Sequence, residues 1–396
     1  GDLMIGEVVD KSRYQLNNIL CIDQSAILQN HKVAREKNAN QHWLCVEQFF
    51  SYNDIFLSFY LSLKKILNGS LDEKYENLFQ LLNPVYVYDT IFSVLTSQRI
   101  IEKINPKSIF LTCEYCRFHR ELTFISKRYG IPIFALQHGV INPYKQAYIF
   151  DNSRIKDILP DVTFVFGKYY KNLLTEKSIY NSSEVIVTGD PRYDILYYAD
   201  EIYSKDDFKK RYKIPSNHKI VLWTTQCHGR FVDDEENLLN FETVFDSISK
   251  MKNTSLIVKQ HPNEPEKYTQ MIKKAQKMFD ANILLVPKNS DTFEQLYVSD
   301  VMLTRDSTTA LEAVALDKPV LILNLGDRPD RVDFVKQGVA KGVYNSEDFK
   351  PTLEVLLKDD SSLIKNREKY IEEYLYKIDG ESSERVVDAV KRVIND

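Results

Sequence analysis

Short apolar runs alternate with helical patterns from about residue 105 onward, and this alternation constrains the fold more than any other feature. A first series of runs lies at 108–112, 131–136, 163–166 and 184–188. A second series lies at 219–225, 255–259, 283–286, 301–304 and 319–323. Continuous apolar runs are typical of parallel strands that are buried on both faces. The spacing fits right-handed βαβ units, so we predict two doubly wound α/β domains in tandem.

A polar, charged stretch separates the two series. We interpret residues 201–217 as a linker between an N-terminal α/β domain at 1–200 and a C-terminal α/β domain at 218–360. Residues 361–396 are strongly charged and have a helical pattern, which predicts a C-terminal helical segment. A length of 396 residues agrees with two domains, at roughly 100–200 residues per domain.

Composition narrows the class of protein. The 52 Lys and Arg residues nearly balance the 56 Asp and Glu residues, for a net charge of −4. This balance argues against a nucleic-acid binder, which normally carries a basic face. No apolar run approaches the ~18 residues that a membrane-spanning helix needs, and the N-terminus has no signal-peptide pattern. We expect a cytoplasmic protein, with contact to the inner face of the membrane left open, and cannot assign an oligomeric state.

The most apolar stretch of the chain is 55–63, which is followed by Lys64 and Lys65. It is too short to cross a bilayer. A helix that lies in a membrane interface is one interpretation, and a helix that faces the protein core is the one we favour.

Cys113 and Cys116 form a CxxC motif. Neither a second cysteine pair nor a nearby histidine pair completes a zinc site. We therefore expect two reduced thiols at a strand-to-helix junction.

Polar residues follow the apolar runs of the N-terminal domain, where open α/β sheets bind ligands. Gln137, His138 and Gly139 follow the run at 131–136. His138 can act as a general base, because an unperturbed histidine has a pKa near 6.5, or it can simply cap a strand. Glu114, which follows the run at 108–112, is an alternative base.

In the C-terminal domain, Arg305 and Asp306 follow the run at 301–304, and three hydroxyl residues come next: Ser307, Thr308 and Thr309. Hydroxyls and free N–H groups at the start of a helix can bind an anion, so we predict a phosphate site here. The same residue types also serve as ordinary helix caps. Glu312 lies about one turn into the helix, where it can reach ribose hydroxyls or face solvent.

Two further loops complete the predicted phosphate site. His261 and Pro262 follow the run at 255–259, and a histidine in this place can donate to a diphosphate. Thr225 ends the run at 219–225 and can contact the diphosphate from the facing loop. The chain has no Asp-x-Asp, no GxGxxG and no GxxxxGK[ST] motif, which argues against dinucleotide dehydrogenases and P-loop proteins.

Several of these motifs together resemble GT-B-fold glycosyltransferases, in which two Rossmann-like domains face a cleft. The motifs are QHG (137–139), GDPRYD (189–194), KQHP (259–262), RDSTTALEA (305–313) and KPVLIL (318–323). They are most similar to the bacterial surface-polysaccharide enzymes of the CDP-glycerol glycerophosphotransferase-like group. The capsule sialyltransferases and Kdo transferases have a similar His-Pro motif and serine pair. The resemblance covers about 105–330.

This resemblance implies an inverting, metal-independent transferase in surface-polysaccharide synthesis. It would move a sugar or polyol phosphate from a nucleotide donor to a glycan or lipid-linked acceptor, without a resident cofactor. His138 would be the base, and the donor phosphates would lie against His261 with Pro262 and against Ser307 with Thr308. A cytidine nucleotide is the donor that the resemblance favours. The chain departs from the group at Gln137, where a tryptophan is usual, and at 306–309, where Tyr-Ser-Ser is common.

Two alternatives remain open. The non-hydrolysing UDP-N-acetylglucosamine 2-epimerases share the fold and a similar His-Pro-Asn segment. They usually have a glycine-rich stretch after the serine, where this chain has Ala310 and Leu311, and on this ground we rank them second. The other alternative is a non-catalytic nucleotide-binding module of a larger polymerase.

Overall fold

The computed structural model describes residues 8, 20–23, 42–68, 87–144, 147–226, 232–278, 282–326 and 328–395. It divides into two compact units. Unit 1 comprises Gly1–Arg192 together with Glu381–Asp396, and unit 2 comprises Tyr193–Gly380.

The described strands number twelve and the described α-helices fourteen. The strands are β1 (Leu20–Asp23), β2 (His42–Cys45), β3 (Ile109–Leu111), β4 (Ile133–Leu136), β5 (Val162–Val165), β6 (Val185–Val187), β7 (Lys219–Thr224), β8 (Thr254–Lys259), β9 (Asn282–Leu285), β10 (Val301–Thr304), β11 (Val320–Leu323) and β12 (Ala340–Val343). The helices are α1 (Tyr52–Asn68), α2 (Val87–Ile104), α3 (Arg117–Arg128), α4 (Lys168–Lys177), α5 (Asp194–Tyr197), α6 (Ala199–Ile202), α7 (Lys205–Tyr212), α8 (Asp234–Ser249), α9 (Glu266–Met278), α10 (Thr292–Val298), α11 (Thr309–Ala315), α12 (Ser346–Lys358), α13 (Ser361–Tyr370) and α14 (Ser382–Asn395).

Unit 1 is built on a four-stranded parallel sheet in the order β3-β4-β5-β6, and β1 and β2 form a separate parallel pair. The central strand β4 is buried along its whole length. This agrees with its continuous apolar sequence, because a strand covered on both faces has no polar side to present. Helix α3 ends at Arg128, and Gly130, with a φ of +67°, lets the chain reverse into β4.

Unit 2 is built on a six-stranded parallel sheet in the order β12-β11-β10-β7-β8-β9. From β7 the chain moves outward through β8 to β9, then returns to β10 on the other side of β7 and moves outward again. This is the strand order of a Rossmann fold, with its switch point between β7 and β10. The prediction of an α/β fold with two Rossmann-like domains is confirmed.

The boundary between the units differs from the predicted one. The segment 201–217, interpreted as a linker, belongs to unit 2 and contains α7. Its charged residues fold onto the unit: Phe208 is fully buried, and Lys209 Nζ donates to the carbonyls of Ser216 and His218 at 2.7 and 2.8 Å. The polar sequence here therefore belongs to an outer helix, whose lysine amine satisfies carbonyls of the loop that leads into β7.

The C-terminal segment, predicted as a helical appendage, is divided between the units. Helix α13 stays in unit 2, whereas α14 returns to unit 1. There Val386, Val387 and Val390 pack with Phe134 and Phe164 of the sheet. The Arg385 Nε atom also donates to the carbonyl of Thr188, at 2.8 Å.

The apolar stretch 55–63 lies on α1, and its orientation differs from the core-facing one that we favoured. The side chains of α1 that are buried are Asp54, Ser58, Leu61 and Ser62, and most of its large apolar side chains are exposed. No helix in the described part of the chain is both long enough and apolar enough to cross a membrane.

Candidate functional site

The loops at the carboxyl ends of β7 and β10 lie side by side at the switch point of unit 2. Val301 of β10 pairs with Val221 of β7, which brings residues 225–226 beside residues 305–308. Ligands of open α/β sheets bind at this position, because the chain diverges here and leaves a crevice between the two loops.

Two of the three predicted hydroxyls form a cluster with Thr224. Thr309 donates to Ser307 Oγ through both its backbone N–H, at 3.2 Å, and its hydroxyl, at 2.7 Å. The Thr224 and Thr309 hydroxyl oxygens are 3.2 Å apart. Ser307 Oγ thus accepts both bonds at the start of α11 and keeps its own O–H to donate. Thr308 is exposed and makes no side-chain cap bond.

Gln226 fixes the loop after β10. Its amide is buried and, oriented to satisfy both neighbours, donates to Asp306 Oδ1 at 3.0 Å and accepts from the Ser307 N–H at 3.2 Å. Burial raises the pKa of the Asp306 carboxyl, and the nearby positive charges of Arg305 and Arg331 oppose that rise. The backbone around Ser307 is therefore held in place before any ligand arrives.

Arg305 is buried and directed into the protein. Its Nε atom donates to Glu236 Oε1 at 3.2 Å, and its Nη1 atom forms an ion pair with Asp330 at 3.6 Å. Since a buried guanidinium needs a compensating carboxylate, this pairing explains why an arginine follows β10. The guanidinium links this loop to α8 and to the loop after β11.

His261 follows β8 and is half buried. Its Nδ1 atom accepts the N–H of Asn263 at 3.2 Å, so in the neutral ring the proton is on Nε2. Burial lowers the pKa of His261, and the positive charge of Lys288 lowers it further. At neutral pH the ring offers one Nε2–H donor. Pro262 is exposed and shapes the turn that follows.

Thr225 positions its neighbours. Its hydroxyl donates to the Glu264 carboxylate and accepts the N–H of His261 at 3.2 Å. Thr225 therefore bridges two loops, and its contact with a diphosphate stays a prediction. Glu264 was not singled out from the sequence, although it directly follows the His-Pro-Asn segment. It is buried, and burial raises the pKa of its carboxyl.

Glu312 lies in the first turn of α11 and is buried. The interpretation of Glu312 as a residue on a solvated helix face is therefore wrong. Its contact with a ribose hydroxyl stays a prediction.

In unit 1, Glu114 lies buried at the carboxyl end of β3 among other polar groups. Burial raises the pKa of Tyr148 well above its ordinary value, and the negative charge of Glu114 raises it further. The pKa of Tyr180 is raised by the same two causes. Arg120 is close enough to interact with Glu114 and Tyr180, and its pKa is lowered by burial. This Glu114 cluster, formed by Glu114, Tyr148, Tyr180 and Arg120, is a buried group of proton donors and acceptors.

His138 lies beside the Glu114 cluster. Its backbone N–H donates to the Tyr148 hydroxyl at 2.9 Å. The ring of Tyr115 makes edge-to-face contacts with His138 and with Tyr148, both with centroids 5.7 Å apart. The two predicted bases, His138 and Glu114, therefore share Tyr148 as a neighbour.

Gln137 and Gly139 hold the turn that carries His138. Gln137 is buried; its Nε2 donates to the Gly139 carbonyl at 2.8 Å, and its Oε1 accepts the N–H of Phe166 at 3.0 Å. Gly139 has a φ of +68°, a conformation that favours glycine. A glutamine at 137 thus joins the ends of β4 and β5, a bond that a tryptophan at this position would not make.

Cys113 and Cys116 are free thiols with their sulfur atoms 2.8 Å apart. The hydrogen bond from Cys116 lowers the pKa of Cys113 to about 6 and raises the pKa of Cys116. Cys116 is also the N-cap residue of α3. The expectation of two reduced thiols at a strand-to-helix junction agrees with this arrangement.

The amino-acid sequence matches the model of one known protein family. The family model for UDP-N-acetylglucosamine 2-epimerase matches residues 152–391, which is more than half of the chain. The chain belongs to the UDP-N-acetylglucosamine 2-epimerase family. No curated protein matches the sequence. The matched range includes every predicted residue of unit 2 and excludes His138 and Glu114.

Several solved structures have a similar fold. UDP-GlcNAc 2-epimerase from Neisseria meningitidis, determined with bound UDP-GlcNAc, is 17% identical, with a TM-score of 0.66 over 98% of this chain and 96% of that chain. The enzyme from Methanocaldococcus jannaschii is 14% identical, with a TM-score of 0.63 over 98% and 96%. MnaA from S. aureus, in a co-structure with UDP, is 19% identical, with a TM-score of 0.59 over 95% and 96%. At these identities the similarity establishes the GT-B-like fold.

The family overturns the function that we ranked first. The prediction of a glycosyltransferase is wrong, and the alternative ranked second is the better supported one. We ranked the epimerases lower because Ala310 and Leu311 stand in place of glycines. Both side chains are fully buried, so each fits within the packed protein at a position where a glycine would leave space.

Proposed function

We propose that the protein inverts carbon 2 of a UDP-N-acetylhexosamine, the reaction named in its family's description. The observation that carries this proposal is the family match over 152–391, which contains the whole carboxyl edge of the unit 2 sheet. An epimerase needs one substrate only, so the glycan or lipid-linked acceptor expected from the sequence has no place in the proposal.

The unit 2 crevice would hold the diphosphate through neutral donors. Ser307 offers its O–H and His261 offers its Nε2–H, while Arg305 is engaged with two carboxylates. Helix α11 has only seven residues, so its dipole is weak. The phosphates would therefore be attracted mainly by hydroxyls and by the N–H groups of the loops. Donors fixed in advance by Gln226 and Thr225 need little reorganisation when charge develops on the diphosphate.

Glu312 would contact the ribose. A buried carboxylate in the first turn of α11 lies one turn from the proposed phosphate contacts, and a carboxylate accepts hydrogen bonds from a diol. The sequence comparison with transferases favoured cytidine, and the family favours uridine. The base, like the absence of a metal and of a resident cofactor, stays a prediction until it is measured.

The chemistry at carbon 2 requires proton transfer. Inversion there removes a proton from one face of the sugar and returns one to the other face. In unit 1, Glu114 and Tyr148 provide a carboxyl and a phenol in one buried cluster, with His138 beside them. We assign them as the proton-transfer groups, because carboxyl, phenol and imidazole groups are the kinds of side chain that general acid–base catalysis uses.

The test is to incubate the purified chain with UDP-N-acetylglucosamine in deuterium oxide. We expect proton NMR to show the C2 epimer, with deuterium from solvent at carbon 2 of both sugars. A sugar that acquires no deuterium and no epimer would refute the proposed reaction.

Binding is tested separately by thermal shift with UDP, CDP and CMP. A ligand at ~100 times its Kd adds about 2.7 kcal/mol of stability to the folded state. We expect UDP to raise the melting temperature of the unaltered chain and of Ser362→Ala, which removes an exposed hydroxyl of α13. Ser307→Ala should lose most of that rise. A selective response to cytidine nucleotides, or an equal response in Ser307→Ala, would contradict the proposed site.

A further inference from the structure

Two thiols enclose the short loop that carries Glu114. Cys113 and Cys116 are both half-buried, and their sulfur atoms are 2.8 Å apart. A disulfide has an S–S distance of about 2.05 Å, so the two sulfurs need to approach each other by less than about 1 Å to form one. Because neither thiol is fully buried, a small oxidant in solution can reach the pair.

The backbone around the pair already has the shape that a disulfide needs. The Cys116 N–H donates to the Cys113 carbonyl at 3.2 Å, which closes residues 113–116 into a β-turn. The end residues of such a turn have Cα atoms less than about 7 Å apart, the range that a disulfide spans. His119 Nδ1 also bonds the Cys113 carbonyl, at 2.6 Å. Because a carbonyl only accepts, the imidazole is the donor, and it holds the turn against α3.

Cys113 is the thiol that reacts first. The hydrogen bond from Cys116 lowers the pKa of Cys113 to about 6, burial opposes this change, and a hydrogen bond from Tyr115 adds to it. A thiol with this pKa is mostly thiolate at neutral pH, and the thiolate is the nucleophile in thiol oxidation. We therefore expect Cys113 to react with peroxide about 10-fold faster than an ordinary cysteine, or more.

The two residues between the thiols connect the pair to the proposed proton-transfer groups. Glu114 itself is buried in the Glu114 cluster. The ring of Tyr115 contacts the rings of His138 and Tyr148, and the Tyr115 hydroxyl hydrogen-bonds to Cys113. A disulfide would remove the thiolate that accepts this hydrogen bond and would draw the ends of the turn together. Oxidation therefore acts directly on the positions of Glu114 and Tyr115.

We propose that the Cys113–Cys116 pair is an oxidation site at which hydrogen peroxide reversibly disables the Glu114 cluster. The Cys113 thiolate attacks one peroxide oxygen and becomes a sulfenic acid, while the O–O bond breaks and the leaving hydroxide takes up a proton to become water. The Cys116 sulfur then attacks the Cys113 sulfur. The S–S bond forms, the S–O bond breaks, and the leaving hydroxide takes the Cys116 proton to become a second water. The two thiols lose two electrons and the peroxide gains them.

The consequence for turnover rests on the proposed epimerase function, whereas disulfide formation does not. Peptide mass spectrometry of the peroxide-treated full chain tests the modification itself. Trypsin cleaves after Lys107 and Arg117, so one peptide carries both thiols. We expect this peptide to resist alkylation and to be lighter by two hydrogen atoms than the reduced peptide, until dithiothreitol restores it. A peptide that gains only oxygen atoms, or that reacts no faster than Cys21, would overturn the proposal.

Hydrogen exchange measures the effect on the Glu114 cluster without substrate. The His138 N–H donates to the Tyr148 hydroxyl at 2.9 Å, and we expect it to exchange faster in the oxidised chain. Epimerisation kinetics give a second readout. The kcat should fall by up to about 100-fold, the loss that a displacement of about 1 Å can cause. The rise in melting temperature with UDP should be kept, because the proposed nucleotide site lies in unit 2.

Two variants complete the test. Cys113→Ser, which keeps an acceptor for the Tyr115 hydroxyl, should stay active and become insensitive to peroxide. Cys21→Ser, which removes a half-buried thiol outside the pair, should respond as the unaltered chain does. Oxidation that changes neither His138 exchange nor kcat, or a loss of kcat that persists in Cys113→Ser, would overturn the proposal. A reduced chain without epimerase activity would refute the proposed function alone, and His138 exchange would then decide this proposal.

Discussion

Replacing Gln137 with leucine tests how the turn beneath His138 is held. Gln137 is fully buried and satisfies two backbone groups, the carbonyl of Gly139 and the N–H of Phe166. Leucine has a similar volume but offers neither donor nor acceptor. Each buried group that loses its partner costs about 1–3 kcal/mol, so Gln137→Leu should lower the free energy of unfolding by about 2–6 kcal/mol. That is a large part of the roughly 5–15 kcal/mol that stabilises a domain.

Urea denaturation followed by far-UV circular dichroism measures the loss, and hydrogen exchange at the Phe166 amide locates it. The control is Gln98→Leu, because Gln98 donates to Glu102 on the surface of α2 at 2.7 Å. A surface change of this kind should stay within about 0.5 kcal/mol. The reasoning is refuted if Gln137→Leu costs no more than Gln98→Leu, or if the Phe166 amide exchanges at its original rate.

Three further predictions follow from single residues. Burial raises the pKa of Glu121 from 4.5 to about 8, so the folded state holds a proton that the unfolded state releases, and stability falls as pH rises through this window. Glu121→Gln should flatten the dependence of the free energy of unfolding on pH. Denaturation experiments at several pH values measure this dependence, to which Glu121 contributes a slope of at most about 1.4 kcal/mol per pH unit. Iodoacetamide should label Cys113 at neutral pH and more slowly below its pKa of about 6, and Cys116→Ala should move that midpoint upward, as peptide mass spectrometry would show. Gly139→Ala should cost about 1–2 kcal/mol in thermal melts, from left-handed backbone strain alone, because no atom lies within 4 Å of the added methyl group.

Nine of the twelve described strands, β3 to β11, were predicted from the sequence because burial on both faces leaves a direct signature, whereas β1, β2 and β12 were not predicted. The run 301–304 coincides with β10, and the runs at 131–136 and 255–259 coincide with β4 and β8 to within two residues. The location of α14 was not predictable. The spacing of its valines at 386, 387 and 390 indicates that one face of the helix packs against a hydrophobic core. That spacing does not tell which of the two sheets the helix packs on.

Site residues were predictable where position in the sheet decides their role. Ser307 and His261 follow strands that meet at the switch point, so topology brings their loops to one edge. Arg305 follows the same rule, yet its guanidinium is directed to Glu236, which lies 69 positions earlier in the chain. A cation that would bind phosphate and a cation that pairs with a distant carboxylate have the same local sequence. Only the fold distinguishes them.

The family match supports the proposed nucleotide-binding loops of unit 2 more directly than the proposed proton-transfer groups of unit 1. The matched range, 152–391, contains the phosphate-side loops and ends within α14, whereas Glu114 and His138 precede it. Binding a nucleotide diphosphate requires fixed hydrogen-bond donors at a switch point, and enzymes that catalyse different reactions can share such a binding site. Inverting carbon 2 takes proton-transfer groups, which in this proposal are those of unit 1. Binding of UDP alone would therefore support only the first half of the argument. Solvent deuterium at carbon 2, retained in Ser362→Ala and lost in Glu114→Gln while UDP still stabilises both variants, is the result that would tie the reaction to the Glu114 cluster.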